Sequence, residues 1–200
     1  MFSKPVLQRV KEGLGENLLK LFFEKKADDR RNNGSELILT EFVNKALMAL
    51  VEEKPISRKF VLTVNGSASA QYPLSVLSVN TVWLNGVPLK KGTGLPVTDE
   101  TECYIDASAR RIHFGPGRNG TIELNCFIVP REEDLPPEAR RALVFHVKAQ
   151  CCKFIANRLL QDPSFGRRDL KAPLNNPAHW ERQGAILLRC FSQIVLRAQS

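Results

Sequence analysis

The chain has 200 residues, with Lys plus Arg at 29 against Asp plus Glu at 21, a formal net charge of +8, 43% hydrophobic and 25% charged residues. That is ordinary globular composition, and a chain this long buries roughly 70% of its unfolded surface without needing a metal or disulfide to fold. It excludes collagen, a coiled-coil rod, a disordered tail and a membrane-spanning helix, because no apolar run approaches the ~20 residues a membrane helix requires.

One domain, or one domain with a sizeable insertion, is expected. No apolar h-region or small-residue cleavage site follows Lys4, Arg9 and Lys11, so assembly in a cytosol is expected. The five cysteines are Cys103, Cys126, Cys151, Cys152 and Cys190. Their number is odd, two are adjacent and no Cys-x-x-Cys exists, which reads as small buried hydrophobes. The sequons at Asn65 and Asn119 carry no weight without secretion.

The first third is helical in pattern. Leu7, Val10, Leu14, Leu18 and Leu21 recur at helical steps and predict one helix, weakened at Gly13 and Gly15. A polar break from Asp28 to Gly34 follows. Ser35 is the expected cap of a second helix with Leu39, Phe42, Val43, Ala46, Leu47 and Leu50 on its stripe, ending near Pro55. The period then changes. Phe60–Val64 reads as a strand ended by Asn65-Gly66, and Leu74–Leu84 as another ended by the hairpin signal Asn85-Gly86. Val87–Leu89, Glu102–Asp106, Arg111–Phe114 and Thr121–Val129 are further strands. Such close spacing predicts an antiparallel sheet or small barrel, not βαβ units. Helix returns over about Pro137–Leu160, with Leu143, Val147, Cys151 and Phe154 on one side, and over about Ala178–Ala198, with Trp180, Leu187, Phe191, Ile194 and Val195 on one stripe. A loop from Asp162 to Pro177 joins them.

The expected class is α+β: a helical bundle of about four helices interrupted by an antiparallel β-sheet or small-barrel insert. Residues 1–56 and 132–200 are assigned to the bundle and residues 57–131 to the β domain.

Few motifs carry chemistry. Gly115-Pro116-Gly117-Arg118-Asn119-Gly120 fits G-x-G-x-x-G, but a strand follows it where dinucleotide binding needs a helix. It is expected to be a hairpin loop. There is no P-loop. His113, His146 and His179 lack the helical spacing of a metal pair. A Cys–His pair built on His146 or His113 predicts a thiol of depressed pKa. Arg140, Arg141, Lys148, Lys153, Arg158, Arg167, Arg168, Lys171, Arg182, Arg189 and Arg197 concentrate positive charge in the last third. That admits a basic nucleic-acid-binding protein as the alternative function, although no helix-turn-helix, zinc finger or aromatic RNA motif accompanies the charge.

Several segments, in order, resemble one family. Ser57-Arg58-Lys59-Phe60 resembles a Ser-Arg-Gly-Trp-x-Phe that opens its sheet, in a shortened form with Lys59 in place of Gly-Trp. Tyr72-Pro73-Leu74-Ser75-Val76-Leu77 resembles a Leu-Pro-x-x-Val-Leu strand start, and Cys103-Tyr104-Ile105-Asp106 a Tyr-Asp strand. Ile122–Val129 followed by Arg131–Arg140 resembles its strand, acidic stretch, Leu-Pro-Glu and long helix, inside which Ala149, Phe154 and Arg158 keep the spacing. The family is tail tubular protein A, the head-to-tail adaptor or gatekeeper of short-tailed bacteriophages. The resemblance runs over about two thirds of the chain, from the second helix to the end of the third.

It implies a structural virion protein without catalysis, metal or cofactor, assembled in a host cytoplasm and used at the head–tail interface. Copies would form a ring, usually of twelve, between the portal protein and the tail nozzle (tail tubular protein B). DNA would pass through the channel without sequence-specific binding, and no membrane is involved. The expected portal contacts are Arg167, Arg168, Arg182, Arg189 and Arg197. The expected nozzle contacts, taken as hairpin tips, are Asn85, Gly86, Lys90, Lys91, Gly117 and Arg118.

Overall fold

A computed structural model describes residues 5–23, 34–162 and 170–197. The polar break at Asp28–Asn33 and the loop arginines Arg167 and Arg168 lie outside them, as does the side chain of Ser35. The described residues divide into two compact units: Pro55–Pro130, and a second built from the segments on either side of it, Met1–Lys54 and Arg131–Ser200.

The second unit contains α1 (Val6–Leu14), α2 (Glu16–Phe23), α3 (Gly34–Glu53), a 3-10 turn (Glu132–Asp134), α4 (Pro137–Gln161) and α5 (Pro177–Arg197). The apolar periodicity from Leu7 to Leu21 is divided between two helices. Gly15 takes φ 80°, a left-handed conformation that ends α1 and that an L side chain resists. Gly13 has a different role: a Cβ there would meet Lys148 Nζ at 2.1 Å, so its missing side chain makes room for Lys148 from α4.

α4 is the hub and packs against α1, α3 and α5. Pro137 in its first turn suits a position whose amide has no helical partner. Its buried residues include Leu143, His146, Val147, Cys151, Cys152, Ile155 and Leu159. Phe154 is half-buried and stacks on Phe23 at 5.0 Å, with Phe42 edge-on at 6.1 Å. On α5 the buried stripe is Trp180, Gly184, Phe191 and Val195. A Cβ at Gly184 would lie 3.4 Å from Cys152 Cβ, so this glycine lets α5 lie close on α4.

The first unit has five strands: β1 (Ile56–Gln71), β2 (Val76–Leu84), β3 (Val87–Lys91), β4 (Glu102–Asp106) and β5 (Arg111–Ile128). Their order is β1-β5-β2-β3-β4, and β4 also pairs with β5. The second half of β5 pairs with β2 and its first half with β4, so the sheet closes on itself as a barrel. With the two halves of β5 counted separately there are six staves. Val82, Cys103, Ile112, Ile122, Leu124 and Cys126 fill the interior, each at most 1% exposed.

The expected bundle of about four helices with an antiparallel sheet or small-barrel insert is therefore corrected. Five α-helices lie among the described residues, and the strands form a closed barrel that contains a parallel pair, β3 with β4. Two sequence signals misled. Asn65-Gly66 ends no strand, because β1 continues through it with register shifts, and Gly66 at φ 65° supplies a bulge. Gly115–Gly120 is no hairpin loop but lies inside the continuous β5. Its bulging residues allow one strand to pair with β4 at one end and β2 at the other. Asn85-Gly86 behaves as expected: φ values of 51° and 80° give the two-residue turn between β2 and β3.

Candidate functional site

Thiols and imidazoles are the side chains here best suited to nucleophilic or acid–base chemistry. Cys103, Cys126, Cys151 and Cys152 are buried and Cys190 is half-buried. Burial pushes Cys151 up to about 12, and Cys126 and Cys152 each up to about 11; Cys103 is raised for the same reason. A thiol raised this far is almost wholly protonated near neutral pH, which is the opposite of an activated nucleophile. His146 is buried on α4, edge-on to Phe191 at 4.9 Å, and its Nδ1 has no hydrogen-bond partner among the described residues. Desolvation lowers its pKa, which favours the neutral ring. His113 lies in β5 opposite Tyr104, and His179 lies edge-on to Trp180. Among the described residues no three His, Cys, Asp or Glu side chains gather to hold a metal ion, and no helix is long and apolar enough to cross a membrane.

Two surfaces remain. On α5, Arg182, Arg189 and Arg197 are all exposed. Arg182 and Arg189 are seven residues apart and share a face, away from the stripe of Trp180, Gly184, Phe191 and Val195 that faces α4. Ile186, Leu188 and Leu196 are exposed on the same helix, so the basic surface is interleaved with apolar side chains. Where α5 meets α4, a groove of about 340 Å³ runs over Ala149, Ala156, Gly184, Ala185 and Leu188, with Lys153 and Glu181 also lining it. The Trp180 indole donates to the Leu174 carbonyl at 2.8 Å and so pins the segment before α5.

The second surface is on the barrel, and there the expectation of hairpin tips fails for four of six residues. Asn85 and Gly86 do form the β2–β3 turn. Lys90 and Lys91 lie in β3, and Gly117 and Arg118 lie within β5. Lys91 Nζ donates to the Val79 carbonyl at 2.7 Å. Arg118 donates to the Glu100 carbonyl at 3.2 Å and pairs with the Glu100 carboxylate at 3.7 Å. Both cations therefore hold the barrel's own loops and strands.

Asn85 is likewise a fastener. Its Oδ1 accepts the Thr121 amide at 2.9 Å and its Nδ2 donates to the Asn119 carbonyl at 3.1 Å. Asn119 Oδ1 in turn accepts the Gly66 amide at 2.5 Å. Three Asn-Gly pairs far apart in sequence thus meet in one hydrogen-bond cluster. The only signal in the sequence was the repeated dipeptide, and each copy reads locally as a turn.

No protein-family model matches the chain, and no curated protein sequence matches it.

Proposed function

We propose that this chain is a structural head-to-tail adaptor: copies form a ring, with twelve as the expected number, between a portal protein and a tail nozzle. DNA passes through the ring's channel for genome retention and ejection. The protein acts in the virion and is assembled in the host cytoplasm. The observation that carries the reading is the ordered run of motifs from Ser57-Arg58-Lys59-Phe60 to Arg131–Arg140, which resembles the tail tubular protein A family.

The α5 surface supports it. A helix with Arg182, Arg189 and Arg197 exposed beside exposed Ile186, Leu188 and Leu196 has the mixed character of a protein interface, where Arg is enriched and apolar area is covered on assembly. The portal contact is accordingly assigned to α5. The nozzle contact is assigned to the Asn85-Gly86 turn, while Lys90, Lys91, Gly117 and Arg118 act from within the barrel wall. A ring requires a heterologous interface that closes.

The test is single-particle imaging of the purified protein, alone and mixed with portals from the same source. Rings seated on portals are expected, and charge reversal at Arg182 and Arg189 together is expected to abolish them. Particles that ignore portals overturn the proposal. If such particles bind duplex DNA with a steep salt dependence, the basic surface serves nucleic acid instead.

A further inference from the structure

Among the described residues the outer edge of β1 has no strand beside it. β1 pairs along its length with β5 and with no other described strand. In an antiparallel pair the amide and carbonyl of one residue point the same way, and the direction alternates along the strand. The Thr121 carbonyl accepts the Asn85 amide at 2.9 Å and the Thr121 amide donates to Asn85 Oδ1, so Thr121 faces away from β1. Its cross-strand partner Thr63 therefore turns its own backbone groups away from β5. Alternation puts Val61, Lys59 and Ser57 in the same state. None of these four residues makes a backbone hydrogen bond across that outer edge to another described residue.

The far end of the same edge is treated differently. The Ser69 amide donates to Ser67 Oγ at 3.3 Å, and the Ser69 carbonyl accepts from the same hydroxyl at 2.7 Å. The chain thus caps part of its edge with its own side chain and leaves Ser57–Thr63 uncapped.

An apolar face does not name its occupant, but a row of amides and carbonyls at strand spacing does: it fits an extended peptide. The side chains narrow the choice. Val61, 61% exposed, stands at the outer end of a cross-strand row that continues through Glu123 and Trp83 to Pro88, so an apolar residue beside it would cover its exposed side chain. Residues 56–71 include Arg58 and Lys59 and no acid, and the chain carries +8; Lys59 already bridges to Glu123 on β5, in a partly solvated pair that an added carboxylate can share. A second copy would bring like charge to this edge.

We propose that the Ser57–Thr63 edge of β1 is a docking site for an extended acidic segment of a partner protein, which joins the barrel as an added strand with a carboxylate opposite Lys59 and an apolar residue beside Val61. The inference stands apart from the ring assignment and does not need it.

Hydrogen–deuterium exchange on the full chain at low salt tests it. The probes are a short synthetic peptide alternating Val with Glu and Thr, and its Lys-for-Glu counterpart. The Glu peptide is expected to slow exchange at the Lys59, Val61 and Thr63 amides by about tenfold or more, and the Lys peptide to leave them fast. Val61→Pro removes an outward amide at an edge, where proline is tolerated, and is expected to abolish the protection with the barrel still folded. Lys59→Glu is expected to reverse the preference between the peptides, and it decides the matter if the proline variant does not fold. The proposal is overturned if neither peptide protects, if both protect equally, if protection appears without peptide as concentration rises, or if Lys59→Glu leaves the preference unchanged.

Discussion

The helical unit and the barrel unit solve the same problem by different means. The helical unit gathers its core around one helix: α4 contributes buried residues on nearly every side, while α5 packs along it and leaves Ile186, Leu188 and Leu196 in solvent. The barrel closes by bending β5 until it serves both β2 and β4, and so satisfies most strand edges internally. A helix satisfies its own backbone, so its unfinished surface is a matter of side chains. A strand does not, so what the barrel leaves unfinished is a row of backbone groups on β1. The two units therefore invite different kinds of partner: an apolar and basic helix face in one, and a strand edge in the other.

The sharpest way to break this comparison is to damage each core separately. Ile155→Ala in α4 and Leu124→Ala in β5 each remove a fully buried side chain and are each expected to cost about 2–5 kcal/mol. If the units are separate cooperative bodies, urea titration followed by circular dichroism will show Ile155→Ala moving the helical transition and Leu124→Ala moving the other. A single shared transition in both variants would merge the units thermodynamically.

Next in size is the fastener of the barrel. A Cβ at Gly120 would sit 1.9 Å from Asn85 Oδ1, and Gly120 has φ 137°. Gly120→Ala is expected to cost about 1–3 kcal/mol through strain and the lost Asn85 hydrogen bonds. Asn85→Ala should lower the same transition, leaving the helical transition unmoved.

The pH response has an acid limb that belongs to the helical unit and an alkaline limb that both units share. His146 has a lowered folded pKa, so its neutral form stabilises the helical unit above the ordinary value of 6.5, and that contribution is lost as pH falls through the folded pKa. His146→Leu is expected to flatten that acid limb in a melting series. The thiols act at the other end. Their folded pKa values are raised from 9.0, so their contribution is complete below pH 9 and is lost as pH rises towards about 11 to 12. Slow alkylation of Cys126, Cys151 and Cys152 in the folded chain, followed by peptide mass spectrometry, checks the same burial. Rapid labelling at neutral pH would contradict it.

The smallest expected effect is on the barrel surface. Lys59 pairs with Glu123 across β1 and β5, with both side chains partly in solvent. Glu123→Gln is expected to change stability by no more than about 1 kcal/mol and less in high salt, by the same urea titration. A larger loss would mean that this pair, and not backbone pairing, holds β1 on the barrel.

Sequence periodicity determined the elements whose residues interact over short distances. The stripe of Leu39, Phe42, Ala46, Leu47 and Leu50 predicted α3, and the pattern after Pro136-Pro137 placed α4 within one residue of its observed end. Asn85-Gly86 gave the β2–β3 turn, because a turn demanding two positive φ values is written in its own two residues. Tertiary structure decided what neighbours elsewhere had to settle. Asn65-Gly66 and Gly115–Gly120 carry the same local freedom as Asn85-Gly86, yet became bulges within strands, because pairing with β4, β2 and each other outweighed the tendency to turn. Lys91 and Arg118 looked like free cations until the carbonyls of Val79 and Glu100 were brought beside them. The open edge of β1 could not be read from its residues at all. Whether an amide lacks a partner depends on which strands lie alongside, and a sequence fixes that only by folding.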